Sequence, residues 1–274
     1  MYPDKILILS TVRNCEKNLY FNYKKINTVL KNIFLKWVVI ESDSNDNTVS
    51  ILEKISKKNK NFHFYSYQNL KKKIPDRIER IAYCRNKYLL KIKKFKNFNY
   101  SMVIDLDEKI DLFNVRGFKS CFKKKINWDV CCANQLNRYY DIFSLRHKFW
   151  SNTDCWKEVE FKNRFFKNKY LNIYTSVHSK MIKILKDSKW IKVDSAFGGM
   201  AIYKNRILKG VKYKNKTLNG DECGEHVSFN EQIRLKNKGK IFINPKFYNL
   251  KESEHSKGFN LIKLKSLLKN LIKN

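Results

Sequence analysis

The chain is poor in residues that break regular structure. Of its 274 residues only 8 are glycine and 3 are proline, which excludes a collagen-like or linker-rich chain. Hydrophobic residues make up 43% and aromatic residues 14%, which excludes intrinsic disorder. No apolar run approaches the ~18 residues that a membrane-spanning helix needs. These absences indicate a folded protein of one or two domains.

The cysteines show no pattern typical of a disulfide framework or a zinc site. They are odd in number and no two have CxxC spacing: Cys15, Cys84, Cys121, Cys131, Cys132, Cys155 and Cys223. The apolar run Ile6–Leu9 is too short for a signal peptide and lacks a small-residue cleavage site. We therefore expect reduced thiols and a cytoplasmic protein.

Acidic residues are scarce relative to basic ones. Asp and Glu number 25 and Lys and Arg 58, a formal net charge of +33. Such a charge attracts polyanions, phosphorylated ligands and anionic membranes. An A/T-rich coding sequence, which enriches Lys, Asn and Ile together, explains the same excess. The charge alone therefore assigns no function.

Apolar segments alternate with amphipathic ones in the first 110 residues. Continuous apolar runs predict buried strands at residues 5–10, 37–40, 62–65 and 100–104, and amphipathic spacing predicts helices over 18–36, from 48, and over 76–93. This alternation is typical of a parallel α/β sheet. The second half is less regular, with further strands expected at 196–203 and 240–244.

Two aspartates follow the fourth predicted strand. Asp105 and Asp107 are two residues apart, so on an extended backbone both carboxylates face one space. Hard oxygen ligands suit Mg²⁺ or Mn²⁺, which would bridge to a diphosphate; a solvated turn is the alternative. Glu41 ends the second strand, where it would bind ribose or base groups or interact with a helix dipole.

Two further clusters carry charge that suits catalysis. Arg77, Arg80 and Arg85 share one broad face of the 76–93 helix, where guanidinium groups would clamp phosphate oxygens or form a solvated basic face. The segment 221–226 holds three carboxylates and one imidazole, which suggests a group that deprotonates a hydroxyl or binds metal. An acidic loop that pairs with surface lysines is the alternative.

The order of these motifs resembles that of GT-A glycosyltransferases. The shared order is Thr11-Val12-Arg13, then Glu41 to Thr48, then Ala82-Tyr83-Cys84-Arg85-Asn86, then Asp105-Leu106-Asp107. Later matches narrow the resemblance toward the capsule-associated α-mannosyltransferases of fungi and similar enzymes of bacteria and large DNA viruses: Tyr140-Asp141 with Arg146, Phe197-Gly198-Gly199, and Cys223-Gly224-Glu225-His226. It spans residues 5–245. One departure is Glu41-Ser42, where many members carry two adjacent aspartates.

The resemblance implies a role for each matched residue. The implied sites are: nucleotide-sugar binding by Thr11, Arg13, Glu41, Arg80, Arg85, Asp105, Gly198 and Gly199; metal binding by Asp105, Asp107 and His255; catalysis by Glu225, His226 and Asp221; acceptor binding by Tyr140, Asp141 and Arg146. The two glycines would let the backbone approach the donor sugar closely. For His255 alone, a surface or satisfied histidine is the alternative.

The resemblance also implies a fold and an activity. We expect an α/β, GT-A (Rossmann-like) fold with a mostly parallel central sheet flanked by helices and an irregular acceptor-binding half. One catalytic domain would span 1–258, with a nucleotide-binding half (1–110) and an acceptor half (111–258). The expected activity is metal-dependent transfer of a sugar, mannose first, from a GDP- or UDP-sugar to a glycan hydroxyl.

The segment 259–274 reads as a cationic amphipathic helix. It would bind an anionic membrane surface, which would make the protein peripheral at the inner face of a membrane, or pack on its own domain.

Two other functions fit parts of the sequence. A nucleic-acid-binding protein or metal-dependent nuclease would use the +33 charge, with aromatic and lysine residues of 161–174 as stacking platforms. Against nucleic acid as a partner, no binding motif is present and the basic residues are spread along the chain. A nucleotidyltransferase shares the metal chemistry, but no glycine-rich phosphate loop lies near the N-terminus.

Overall fold

The residues that the structure describes form one eight-stranded sheet, flanked by helices. The computed structural model describes residues 2–95, 97–123 and 126–256. The strands are β1 (Lys5–Val12), β2 (Phe34–Ser42), β3 (Phe62–Tyr67), β4 (Tyr100–Ile104), β5 (Val130–Asn134), β6 (Ile191–Val193), β7 (Met200–Lys204) and β8 (Ile241–Tyr248). Their order in the sheet is β3-β2-β1-β4-β7-β5-β8-β6.

The first four strands run parallel to one another, and β5 runs parallel to β8. Strand β7 lies antiparallel between β4 and β5, and β6 lies antiparallel to β8. The predicted α/β class with a mostly parallel sheet is confirmed. Both predicted halves contribute strands to this one sheet, and the division at residue 110 stays a prediction.

Helices cover both faces of the sheet. They are α1 (Glu16–Val29), α2 (Thr48–Lys58), α3 (Leu70–Lys73), α4 (Arg77–Ile92), α5 (Val115–Lys123), α6 (Cys155–Phe165), α7 (Lys169–Ser176) and α8 (Glu225–Asn237). Alternate residues of β1 enter different cores: Ile6 and Ile8 pack with α1 and α2, and Leu7 and Leu9 pack on the side of α4 and α8. Two-sided burial explains why the strand reads as a continuous apolar run.

The predicted elements of the first half are found with shifted ends. Helix α4 begins after Asp76, whose carboxylate accepts a hydrogen bond from the Glu79 amide and caps the helix. Helix α1 ends at Val29, earlier than predicted, because β2 already begins at Phe34. Strand β7 begins at Met200 rather than 196, since Gly198 and Gly199 have positive φ values that no strand accommodates.

This topology gathers several chain segments at one edge of the sheet. Because β1 pairs in parallel with both β2 and β4, their carboxyl ends at Val12, Ser42 and Ile104 are neighbours. Met200, the first residue of β7, pairs with Ile104, so Gly198 and Gly199, which directly precede it, lie at the same edge of the sheet. In open α/β sheets this edge is where ligands bind.

The expected cationic helix 259–274 lies outside the described residues. Within the described ranges, no helix has both the length and the apolar character that crossing a bilayer requires.

Candidate functional site

Asp105 and Asp107 lie directly after β4 and line the same two adjoining cavities. Leu106, between them, is 1% exposed and packs into the core on the opposite side. The alternation places both carboxylates toward one space, as expected from their spacing on an extended backbone.

The backbone of this aspartate loop is held by buried side-chain bonds. The Asn22 amide donates to the carbonyls of Leu106 (3.1 Å) and Glu108 (2.8 Å), and its oxygen accepts from the Ile110 amide at 3.1 Å. From the other side, the Asp105 amide donates to the Gly199 carbonyl at 3.0 Å. The carboxylates therefore project from a loop whose backbone is hydrogen-bonded to the fold on two sides.

The two aspartates have the chemistry of a divalent-cation site. Burial raises the pKa of the Asp105 carboxyl above its usual range, and the charge of Asp107 adds to this effect while Arg85 opposes it. A bound cation would offset that excess of negative charge. Among the described residues, no three His, Cys, Asp or Glu side chains are grouped to hold a metal ion. The pair would supply two ligands and leave positions for diphosphate oxygens and water, as Mg²⁺ prefers.

Arg85 connects the aspartate loop to a distant helix. It is 3% exposed, and it donates from Nη2 to Asp105 Oδ1 and from Nε to Glu225 Oε1, both at 3.0 Å. The guanidinium also lies over the Phe197 ring, 5.3 Å from its centroid. One buried cation thus compensates two carboxylates that are far apart in sequence.

The first cavity, of about 240 Å³, lies at the carboxyl ends of β1, β2 and β4. Of the residues expected to bind the donor, the following line it: Thr11, Arg13, Arg80, Arg85 and Asp105. Arg77 and Ser42 line it as well. Arg80 also donates from Nη1 to the carbonyls of Ile74 (2.6 Å) and Pro75 (3.0 Å), so it braces the segment that leads into α4.

Glu41 lies outside both cavities. It is fully buried, and its carboxylate accepts hydrogen bonds from the Ser44 amide at 2.8 Å, from Gln68 Nε2 at 3.3 Å and from the Ser66 hydroxyl. In this arrangement Glu41 holds the loop that follows β2, and Ser42 is the residue of that strand end which faces the first cavity.

The second cavity, of about 480 Å³, shares Arg77, Arg85, Asp105 and Asp107 with the first. The other residues predicted for catalysis, metal or acceptor that line it are Glu225, His226, Tyr140, Asp141 and His255. The aspartate pair and Arg85 therefore stand at the boundary between the two spaces. The His255 ring stacks on Tyr140 with the centroids 5.9 Å apart.

Glu225 and His226 begin α8 but have different environments. The Glu225 side chain is 10% exposed and pairs with Arg85. His226 is 2% exposed and stacks on Phe197, with ring centroids 3.8 Å apart. Neither of its ring nitrogens has a hydrogen-bond partner among the described residues. Burial, assisted by the Arg85 charge, holds the pKa of His226 well below its usual range, so the ring is neutral.

The structure separates Asp221 from the other predicted catalytic residues. Asp221 is exposed in the turn before α8, where its amide donates to the Thr217 hydroxyl at 3.1 Å, and it lines neither cavity. The charges of segment 221–226 are thus divided between a surface turn and a buried helix start.

Gly198 and Gly199 are required by the packing of the chain itself. Their φ values are +67° and +75°. A Cβ on Gly198 would lie 2.8 Å from the Ala133 carbonyl oxygen, and one on Gly199 would lie 2.7 Å from the Tyr140 hydroxyl. Asp141 fixes this turn because its Oδ2 accepts from the Gly198 amide at 2.8 Å. Neither glycine lines the two cavities, and Phe197 does.

Arg146 also lies outside both cavities. It donates from Nη1 to the carbonyls of Phe143 (3.0 Å) and Leu145 (2.8 Å), and it pairs with Asp154 at 3.2 Å. Arg146 thus connects the loop that carries Tyr140 and Asp141 to the start of α6.

Some cavity residues were not predicted from the sequence. Glu108 lines the second cavity, and its Oε1 accepts from the Ser253 hydroxyl at 2.7 Å and the Glu254 amide at 3.1 Å, so it ties the chain near His255 to the aspartate loop. Its signal was an acidic residue directly after Asp107. Trp156 and His178 line the same cavity from the irregular half, where no spacing marked them.

The chain matches no protein-family model and no curated protein. Among solved structures it is similar to a mannosyltransferase from Pyrobaculum calidifontis in complex with GDP-Man and Mn²⁺ (11% identity, 93% of this chain, TM-score 0.48). It is also similar to S. aureus TarS 1–349 (15% identity, 90% of this chain, TM-score 0.46). A third similar structure is glucosyl-3-phosphoglycerate synthase from Mycobacterium tuberculosis (9% identity, 95% of this chain, TM-score 0.46). The chain spans 56%, 60% and 75% of the lengths of these three chains.

Proposed function

We propose that this protein is a metal-dependent glycosyltransferase that moves a sugar from a nucleoside diphosphate to an acceptor hydroxyl. The main support is one observation: Asp105, Asp107 and Arg85 line both cavities and therefore lie at the boundary between them. A group-transfer enzyme needs such an arrangement, because the donor and the acceptor must meet at the group that stabilises the leaving diphosphate.

The first cavity suits the nucleoside diphosphate. Arg13 and Arg77 line it and bring positive charge to phosphate oxygens, and Thr11 supplies a hydroxyl. Asp105 and Asp107 would hold Mn²⁺ or Mg²⁺. A divalent cation held there would neutralise charge that develops on the departing diphosphate.

The second cavity suits the transferred sugar and the acceptor. It is the larger of the two and mixes aromatic with polar walls, among them Trp156, Tyr140 and Asp141. Glu225 lines it next to the boundary, with one oxygen fixed by Arg85. In an inverting reaction Glu225 would accept the proton of the acceptor hydroxyl, and in a retaining reaction it would position the substrate.

The donor to test first is GDP-mannose, with a glycan as the acceptor, because the order of the motifs resembles that of α-mannosyltransferases. A thermal-shift panel of GDP, UDP and CMP with their sugars, with and without Mn²⁺ or Mg²⁺, identifies the nucleotide. At a ligand concentration 100 times Kd, binding stabilises a protein by about 2.7 kcal/mol. For a chain of this size that corresponds to a rise in Tm of roughly 5–10 °C.

The Asp107→Asn variant tests the metal site. We expect it to lose the part of the shift that depends on metal, and to lose sugar transfer. Asp111→Asn is the matched control, because Asp111 is an exposed aspartate four positions further along that lines neither cavity. Equal metal-dependent shifts and equal turnover in both variants would refute the proposal.

A nuclease or nucleic-acid-binding role predicts a different outcome. It requires tight binding to single- or double-stranded DNA that weakens steeply with salt. If such binding is found, and no nucleoside diphosphate stabilises the protein with metal, the glycosyltransferase proposal fails.

A further inference from the structure

The end of α6 and the turn into α7 present a group of exposed phenylalanines, which we call the 161–169 tip. Phe161, Phe165 and Phe166 are 60%, 67% and 61% exposed. Phe161 and Phe165 are four residues apart on the helix, and their ring centroids are 5.1 Å apart. Single exposed apolar residues are ordinary on protein surfaces, but contiguous ones mark interaction sites.

Packing within the fold leaves most of each of these phenylalanine side chains exposed. Helix α6 buries Cys155 and Val159, on a different face. The turn is held by Asn172 of α7, whose amide donates to the Phe166 carbonyl at 3.0 Å and to Asn163 Oδ1 at 2.9 Å. Polar bonds therefore fix the backbone of the tip while its aromatic rings remain exposed.

Basic residues surround the exposed rings. The tip carries Lys162, Arg164, Lys167 and Lys169, and the acidic residue next to it, Glu160, pairs with Arg164 at 3.2 Å. Lys167 and Lys169 are exposed. Apolar side chains ringed by lysine are the chemistry that binds an anionic lipid surface, since the rings enter the interface and the amines meet the headgroups.

A nucleic acid fits the tip less well. A base stacks on a free aromatic face within a groove that follows the backbone. Two of the three rings are in mutual contact instead, and none of the three lines either of the two cavities described above.

We propose that the 161–169 tip docks the protein on an anionic membrane surface. This site is distinct from the segment 259–274 and independent of the reaction that the protein catalyses. Trp156, in the first turn of the same helix, lines the second cavity. Phe165 lies nine residues further along α6, about 14 Å at a rise of about 1.5 Å per residue, so docking through the tip would hold that cavity within roughly this distance of the headgroups.

The test measures binding to sedimented vesicles of phosphatidylcholine alone and with 30% phosphatidylglycerol, so that charge is the only variable. Phe165→Ser/Phe166→Ser is compared with Phe21→Ser/Phe34→Ser, since Phe21 and Phe34 are 38% and 50% exposed outside the tip. We expect the tip pair to weaken binding to anionic vesicles at least ~10-fold and the control pair to leave it within about two-fold.

A second comparison isolates the charges. Lys167→Gln/Lys169→Gln removes the same charge as Lys57→Gln/Lys58→Gln, which lies in the exposed last turn of α2. Each lysine near an anionic surface raises the affinity for vesicles about five-fold, so removing both tip lysines should lower that affinity roughly 30-fold. A loss of less than about five-fold is expected for the control pair, because screening limits charges beyond about 10 Å.

Circular dichroism melts check that all four variants fold as the wild type does. Equal losses in the two lysine variants would overturn the proposal, because the net charge alone would then explain binding. Equal losses in the two phenylalanine variants would overturn it as well, because the position of the exposed rings would then not matter. Binding of the tip to single-stranded DNA but not to vesicles would also overturn it. The proposal would also be overturned if the tip variants changed the oligomeric state of the protein, measured by light scattering, without weakening its binding to vesicles.

Discussion

Arg85 is the residue whose replacement most directly tests the interior of the site. Arg85→Met keeps an unbranched apolar stem and removes the guanidinium charge, which leaves Glu225 and Asp105 without their common partner. Removing one member of a buried ion pair costs about 3–5 kcal/mol. The Asp105 side chain is 33% exposed and that of Glu225 10%, so solvent screens part of the first pair. We therefore expect a loss of about 3 kcal/mol in the free energy of unfolding.

Urea unfolding without metal at pH 7.5 measures this loss. With an m-value of about 3 kcal/mol/M, the midpoint should fall by about 1 M. Adding Glu225→Gln to Arg85→Met should restore roughly 2 kcal/mol, because a neutral amide needs no counter-charge.

Arg80→Met is the matched control for this experiment. Arg80 is 7% exposed, and its hydrogen bonds join it to the backbone carbonyls of Ile74 and Pro75 rather than to Glu225. Its effect should therefore add to that of Glu225→Gln within about 0.5 kcal/mol. If Arg85→Met shows the same additivity, the bridge between Asp105 and Glu225 does not contribute to stability and our interpretation is wrong.

Three other predictions follow from backbone conformation, histidine burial and thiol burial. Gly198→Ala should lower the free energy of unfolding by about 2–4 kcal/mol and Gly210→Ala by about 1 kcal/mol. Both glycines have a positive φ, but a Cβ would clash with neighbouring atoms only at Gly198. Equal losses for the two variants in urea unfolding would contradict this prediction. Burial holds the pKa of His226 below 6.5, so at acid pH the unfolded state binds a proton that the native state does not bind. The free energy of unfolding should therefore decrease below pH 6.5 by up to about 1.4 kcal/mol per pH unit. The His226→Gln variant should lack this pH dependence. Parallel plots of unfolding free energy against pH for the variant and the wild type would refute the prediction. All seven cysteines are buried, and burial raises the pKa of Cys15 and Cys155 to about 12, so labelling by a thiol reagent should wait for unfolding; rapid native labelling would show otherwise.

Local patterns predicted the first half of the sheet because its strands are buried on both faces. Apolar runs alone predicted the strands at 5–10 and 37–40. Strand β5 was missed, since Val-Cys-Cys-Ala is short and cysteine has no clear strand signal, although all five of its residues are buried. Strand β8 continues to Tyr248, beyond its predicted end at 244, and passes through Pro245, although proline within sheets is confined to edge strands, strand starts and bulges. Here the β5–β8 register shifts after Cys132, and Pro245 falls in that irregularity.

The parts of the site that depend on distant contacts were beyond sequence reasoning. The positions of Asp105 and Asp107 follow from the strand that precedes them, which is a local property. The pairing of Arg85 with Glu225 joins residues 140 positions apart, and no spacing encodes it. For the same reason the sequence did not reveal that Ser66 and Gln68 donate hydrogen bonds to the Glu41 carboxylate. Nor did it reveal that Ala133 and Tyr140 occupy the space beside Gly198 and Gly199.

The position of β7 between β4 and β5 has a consequence for synthesis on the ribosome. Strand β4 ends at Ile104, but the neighbour that covers its open edge begins only at Met200. Until that neighbour emerges, a nascent chain must expose an unpaired apolar edge, which is a template for association with other chains. The aspartate loop would also lack its bond to Gly199. The protein should therefore depend on chaperones during translation more than a sheet whose strands pair in chain order.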